Sequence, residues 1–227
     1  MPEGILFDLD GTLADTAPDL AAAINRVRND FGLAALPLED LRPHVSSGAR
    51  GMLRAAFDLT PEDARYAELA DAFLTHYAAA LCVRTRLFDG MPELLDTLDA
   101  AGVAWGIVTN KQSRFTEPLI QALQLNDRAR CVISGDSAAR PKPAPDPLLL
   151  ACERAGINPQ SCLYVGDDPR DVTAGKAAGM YTVAVRYGYL GVDTPIESWG
   201  ADSIVNSPQE LLVVAGLEAC VRDSMGT

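Results

Sequence analysis

The sequence predicts an α/β fold, a doubly wound parallel sheet carrying an all-helical insertion after its first strand. Three observations predict it. Short apolar runs at residues 4–7, 104–108, 130–133 and 162–165 each end abruptly in polar residues or glycine. Runs without polar alternation suit strands buried on both faces, as in a parallel sheet. Helical patterns at 91–101, 115–125 and 147–155 separate the later runs, and a fifth strand, 181–185, follows the helix that Gly179 ends. From about residue 16 to residue 81 no strand pattern is found. Three helical segments, 19–31, 38–57 and 62–81, stand there instead, punctuated by Pro37, Pro43 and Pro61. A connection of that length far exceeds an ordinary crossover, so it reads as a helical subdomain of its own. The expected division is 1–15 and 86–227 for the α/β core and 16–85 for the insertion.

Of the 227 residues 48% are hydrophobic and 22% charged, enough apolar material for a sizeable core. The formal net charge of −12 argues against a nucleic-acid partner, which needs a basic surface. Any anionic ligand must therefore find local positive charge, from a metal, a lysine or backbone amides. Cys82, Cys131, Cys152, Cys162 and Cys220 are odd in number and widely spaced, with no C-x-x-C pair, and are expected to be reduced thiols. Met1-Pro2-Glu3-Gly4 lacks a basic leader and no apolar stretch is long enough to span a membrane, so a cytoplasmic location is expected.

In doubly wound sheets ligands bind outside the carboxyl ends of the strands. Those ends carry Asp8 and Asp10, then Thr109 and Asn110, then Lys142, then Asp167, Asp168 and Asp171. Asp8 and Asp10, two apart on a strand, share a face, and two such carboxylates repel unless a cation or a shared proton relieves them. Thr109-Asn110-Lys111 places a hydroxyl and free amides at a strand-to-helix turn, a grip for phosphate that capping would explain equally well. Pro141 and Pro143 stiffen the loop around Lys142. Asp168 before Pro169 reads as a helix N-cap with Asp171 in the first turn; capping leaves Asp167 unexplained. Hard oxygen ligands of this kind suit Mg²⁺.

Asp8-x-Asp10-Gly11-Thr12-Leu13-x-Asp15, Thr109-Asn110, Lys142-Pro143-x-Pro145-Asp146 and Gly166-Asp167-Asp168-x-x-Asp171 together resemble the haloacid dehalogenase-like hydrolase superfamily. The resemblance covers essentially the whole chain. It implies a Rossmann-like core with a type 1 helical cap, and within the superfamily it is greatest to the phosphoglycolate phosphatase group. The tail from Arg186-Tyr187-Gly188-Tyr189 to Trp199-Gly200-Ala201-Asp202 is also similar to N-acetylmuramic acid 6-phosphate phosphatases.

What the resemblance implies is a Mg²⁺-dependent phosphatase acting on a small phosphorylated metabolite. Asp8 would be the nucleophile, forming an aspartyl-phosphate, and Asp10 the acid and base. Thr109 and the Asn110 amide would bind phosphate oxygens and Lys142 would supply positive charge. Mg²⁺ would be held by Asp8, the Asp10 carbonyl and Asp167, with Asp171 or Asp168 holding a metal-bound water. The expected substrate is 2-phosphoglycolate, the alternative N-acetylmuramic acid 6-phosphate, and the protein a monomer or homodimer. Asp10 argues against a dehalogenase or phosphonatase, which lack a second acid there. A phosphomutase shares the motifs, whereas a phospho-receiver module would be about half this length. In the insertion, Ser46-Ser47-Gly48-Ala49-Arg50-Gly51 breaks the helical pattern, and Arg50 is the candidate for gripping a substrate carboxylate. His44 and His76 read as structural.

Overall fold

The computed structural model describes residues 1–217, so Cys220 and the end of the expected core lie outside the described residues. Six parallel strands form one sheet: β1 (Gly4–Phe7), β4 (Ala104–Val108), β5 (Val132–Ile133), β6 (Cys162–Gly166), β7 (Tyr181–Val185) and β8 (Ser203–Val205). Their order is β5-β4-β1-β6-β7-β8. After β1 the chain goes to one side and returns to the other, so β1 is the switch point, where α/β sheets bind ligands. Phe7 is in register with Ile107 of β4 and Val165 of β6, which brings the ends of all three central strands level.

Helices cover both faces of the sheet: α5 (Met91–Ala100), α6 (Ser113–Ala122), α7 (Asp146–Ala155), α8 (Pro169–Ala177) and α9 (Pro208–Val214). One face packs Ile5, Phe7, Leu94, Leu98, Trp105 and Ile107 together; the other packs Leu6, Val108, Leu148 and Tyr164. Alternate residues of β1 thus enter opposite layers, as strand geometry requires. The strand expected at 130–133 is reduced to two residues. β8 and α9 extend the sheet beyond what the sequence predicts.

The segment between β2 (Ala14–Asp15) and β3 (Arg86–Leu87) is helical throughout: α1 (Ala17–Asp30), α2 (Leu38–Leu41), a 3₁₀ turn (Arg42–Ser47), α3 (Gly48–Phe57) and α4 (Tyr66–Ala79). The single helix expected at 38–57 is therefore three pieces. Pro43 lies in the 3₁₀ turn, and Gly48 starts α3 at φ 59°, a left-handed angle that glycine adopts without cost. These helices build a hydrophobic cluster of their own from Leu20, Ile24, Val27, Met52, Leu69 and Phe73, joined by Phe115 and Tyr189 from outside the segment. Leu20, Ile24 and Val27 follow the helical repeat and face inward together. Burial of a side chain such as Phe73, 1% exposed, contributes about 1.5–3 kcal/mol.

β2 and β3 pair antiparallel, joining the entrance and exit of the insertion. Buried Asp19 of α1 accepts hydrogen bonds from the backbone N–H groups of Val83, Arg84 and Thr85 and from the Thr85 hydroxyl, all at 2.8–3.0 Å. From the far side of the core, the Tyr189 hydroxyl accepts from the N–H groups of Thr16 (2.7 Å) and Ala17 (2.9 Å), doing for α1 what an N-cap side chain would do. It donates to Asp15, whose carboxylate holds Arg42 bidentately at 2.9 Å. His76, read from the sequence as structural, lies 3.1 Å from Asp30. No described helix is long and apolar enough to cross a membrane.

Candidate active site

Three carboxylates meet where β1 and β6 end. Asp8, Asp167 and Asp171 are buried and each offers an oxygen within 4.8 Å of the others. Asp8 follows β1, with its N–H bonded to Val165 O at 2.9 Å, and Asp167 follows Gly166 at the end of β6. Asp167 is fixed from three sides: the Thr12 hydroxyl donates at 3.1 Å, the Tyr189 N–H at 2.9 Å and the Ser46 hydroxyl, from the insertion, at 3.1 Å. Two glycines make room for it. A Cβ on Gly11 would lie 2.2 Å from Asp167 Oδ2, and one on Gly188 would lie 2.2 Å from Asp167 Cβ.

Lys142 answers this negative charge. The side chain is buried, and its ammonium donates to Val108 O (2.9 Å), the Tyr164 hydroxyl (2.8 Å) and Asp171 Oδ1 (2.7 Å). Those bonds occupy its three protons. Asp8 Oδ1 lies 2.8 Å from the same nitrogen as an ion pair outside hydrogen-bond geometry, and this buried oxygen has no hydrogen-bond partner. The Asn110 side chain clasps the Lys142 backbone, accepting from its N–H at 3.0 Å and donating to its carbonyl at 2.9 Å. What Asn110 has left for a phosphate is its backbone N–H. Burial pushes Asp8 up to about 7 against the pull of Lys142, with Asp171 and Asp10 adding repulsion. Burial, then Asp8 and Asp171, lift Asp167 well above the carboxylate range. Burial disfavours the Lys142 charge, but Asp171 and Asp8 outweigh it and raise its pKa.

Asp10 faces elsewhere. Its carboxylate accepts from the Thr16 hydroxyl and pairs with Lys111 at 2.9 Å, so its side chain is not part of the three-carboxylate cluster. Lys111, given no role by the sequence, is nearly buried and sits 4.9 Å from the centre of the Tyr77 ring. Asp168 also turns away: it caps α8 in a capping box with Asp171 and grips Arg170 at 2.7 and 2.8 Å. Of the two acids left open as outer metal ligands, Asp171 is the one that joins Asp8 and Asp167. Thr109 is buried at the end of β4, its hydroxyl accepting from Lys111 N–H at 3.1 Å.

A cavity of about 290 Å³ opens over Asp8, Asp10, Thr109 and Lys142. Its roof comes from the insertion: residues 45–49, with Leu20, Phe73, Leu74 and Tyr77. The roof touches the floor where the Ser46 hydroxyl meets Asp167 and where Arg170 donates to Ser46 O at 2.6 Å. Arg50 does not line this cavity, contrary to expectation; it is exposed, with Glu62 among its neighbours in charge. The cause is helical phase. Met52, fully buried in α3, lies two residues on, about 200° around the helix, so Arg50 points away from the packed face. The cationic side chains at the cavity that the sequence passed over are Lys111 and Arg170.

The donor set fits a hard dication. Ionising all three carboxylates beside one ammonium would leave two uncompensated negative charges, which a dication would offset. All-oxygen ligands with buried charge are what Mg²⁺ takes. The pH dependence follows. Unfolded, Asp8 ionises near 3.8; folded and metal-free, it keeps its proton to about 7. Between those values the folded chain binds the extra proton, so stability falls as pH rises. The metal-free protein is expected to melt at a higher temperature at pH 5 than at pH 8, and Mg²⁺ to raise the melting temperature more at pH 8. Thermal melts in EDTA and in Mg²⁺ check this; a Mg²⁺ effect that shrinks with rising pH contradicts it.

Comparison with known proteins places these features in a family. The chain is 44% identical over 218 residues to an N-acetylmuramic acid 6-phosphate phosphatase of Pseudomonas aeruginosa, covering 96% of each chain. It is 46% identical over 211 residues to a phosphoglycolate phosphatase of Xanthomonas campestris pv. campestris, covering 92% of this chain and 95% of that one. The crystal structure of a predicted phosphoglycolate phosphatase from Haemophilus somnus superposes with a TM-score of 0.82 at 29% identity, over 94% of this chain and 97% of the other. The family described as haloacid dehalogenase-like hydrolase matches residues 5–185, strand β1 through strand β7, and the chain belongs to it.

Proposed function

We propose that the protein is a Mg²⁺-dependent phosphomonoesterase working through an aspartyl-phosphate on Asp8, with residues 16–85 as a cap over the site. The observation that carries this is the meeting of buried Asp8 with Asp167, Asp171 and the Lys142 ammonium, with Asp8, Asp171 and Lys142 lining the covered cavity. Asp8 attacks phosphorus, and the ester oxygen leaves with a proton from Asp10. Asp10 then takes a proton from the water that hydrolyses the aspartyl-phosphate. Its pairing with Lys111 and its hydrogen bond from Thr16 fix the direction of its carboxylate. Thr109 and the Asn110 N–H bind phosphate oxygens, while Lys142 offsets the charge brought together on Asp8. Asp8, Asp167, Asp171 and the Asp10 carbonyl would hold the metal, which would neutralise negative charge at the phosphate. The cap excludes bulk water from the acyl phosphate.

Phosphoglycolate is the smaller of two substrates this reading admits. The cavity favours the larger, N-acetylmuramic acid 6-phosphate. At about 290 Å³ it approaches the size of ordinary small-molecule sites, roomier than a two-carbon ester needs. Its roof also offers apolar surface, chiefly from half-buried Leu74, against which a sugar ring can pack. The deciding experiment is phosphate release from phosphoglycolate, N-acetylmuramic acid 6-phosphate and N-acetylglucosamine 6-phosphate, in Mg²⁺ and in EDTA. We expect turnover that EDTA abolishes, fastest on the muramic ester. Fastest release from phosphoglycolate restores the smaller substrate, and no Mg²⁺-dependent release from any removes both.

A further inference from the structure

Among the described residues three buried side-chain polar atoms have no hydrogen-bond partner: Asp8 Oδ1 and the hydroxyls of Tyr77 and Tyr187. The first two belong to residues lining the same cavity. Native proteins rarely leave such atoms unpaired, and an unpaired one beside a cavity marks a ligand contact or a bound water. Asp8 has its use at phosphorus. Tyr77 has none in the chemistry proposed above.

The Lys111 ammonium lies near the hydroxyl without the geometry of a hydrogen bond, so the ring rather than the hydroxyl serves the packing. Leu69, Phe73 and Tyr77 form the buried stripe of α4 at four-residue spacing, and the Tyr77 ring packs on Phe73 (6.5 Å) and Phe115 (5.5 Å). Phenylalanine would fill that place equally well. Burial pushes the Tyr77 phenol up to about 12, so it stays protonated and can both donate and accept. Its surroundings say which part of a ligand it meets. Lys111 lies against the Tyr77 ring and holds Asp10. Asp10, Lys111 and Tyr77 all line the cavity, so a leaving group held beside Asp10 has Tyr77 among its neighbours.

We propose that the Tyr77 hydroxyl is a specificity-determining contact that hydrogen-bonds a hydroxyl or amide on a sugar-sized leaving group. This rests on the phosphatase reading, and it gives that site a substrate class: phosphate esters of ring-bearing, hydrogen-bonding alcohols. Acetyl phosphate, whose leaving group carries neither a hydroxyl nor an amide, gains nothing of this kind from the phenol.

The test compares Tyr77→Phe with wild type on N-acetylmuramic acid 6-phosphate, N-acetylglucosamine 6-phosphate and acetyl phosphate. The loss of kcat/KM on the sugar esters should exceed the loss on acetyl phosphate at least tenfold. Equal losses on all three, or none, overturn the proposal. Binding gives a readout that needs no turnover. Calorimetric titration of N-acetylglucosamine 6-phosphate into Asp8→Asn and Asp8→Asn/Tyr77→Phe should show about tenfold weaker binding in the double variant; equal affinity overturns the proposal even if wild type hydrolyses nothing, the result that would sink the phosphatase reading. Tyr77→Phe should melt no lower than wild type. A drop of several degrees would mean that the hydroxyl holds the cap together and would reject the assignment.

Discussion

Asp8→Asn is expected to lower turnover by roughly a millionfold, the scale on which enzymes stripped of a covalent nucleophile fail, while the protein folds normally. Asparagine keeps the shape of the side chain and the N–H bond to Val165 O, which belongs to the backbone. It loses the nucleophilic oxygen and one buried negative charge. Without metal, burial and the neighbouring acids disfavour that charge, so the substitution relieves repulsion within the cluster. The metal-free variant should therefore melt at or above the parent temperature at pH 8, while the stabilisation by Mg²⁺ shrinks. Phosphate release and thermal melts measured side by side check both halves. Activity within tenfold of wild type would remove Asp8 as the nucleophile; a collapsed melting temperature would make it a structural residue.

Lys142→Met carries the second largest effect, and here stability and activity should fall together. Methionine fills the same volume without charge. Its introduction leaves Asp8 and Asp171, at 2.8 and 2.7 Å from the lost nitrogen, as buried acids without their cation, and takes a donor from Val108 O. Removing one partner of a buried ion pair costs about 3–5 kcal/mol. In a chain of this size that lowers the melting temperature by roughly 10 °C. Turnover should drop at least a hundredfold, the order expected when a preorganised charge at the reacting centre is lost. A variant melting within about a degree of wild type, or keeping a tenth of its activity, would show that Lys142 is dispensable.

The sequence is most informative where one residue type has one physical use. Strands β1, β4, β6 and β7 are legible because apolar runs without alternation have few other homes, and their ends point to Asp8, Thr109 and Asp167. β8 is not, since Ser203-Ile204-Val205 is too short and too polar to stand out from loop. Arg50 misleads because a loop break in a pattern reveals nothing of the phase in which the next helix begins. Tyr77, Ser46 and Arg170 are hidden for another reason. Their partners, Lys111, Asp167 and the Ser46 carbonyl, lie far away in sequence, on the opposite side of the cavity, so no local spacing records them. Lys111 stands beside a recognisable turn, yet only the folded chain puts it on Asp10.

The Tyr189 hydroxyl has a bearing on engineering. Modular enzymes invite the exchange of lids between relatives, with seams cut at the two linkers. Here the clean-looking cuts beside Asp15 and Arg86 would separate α1 from the tyrosine that caps it, a residue more than 170 positions downstream that stays with the recipient. Arg42, brought in by the donor lid, would have to find its carboxylate and the Tyr189 ring on the recipient side. The heritable unit of lid exchange is thus discontinuous: the helical segment together with the Gly188-Tyr189 loop, which also walls in Asp167. A graft that carries both pieces keeps the β2–β3 junction and Asp167 in step, and one that carries the helices alone unsettles the two at once.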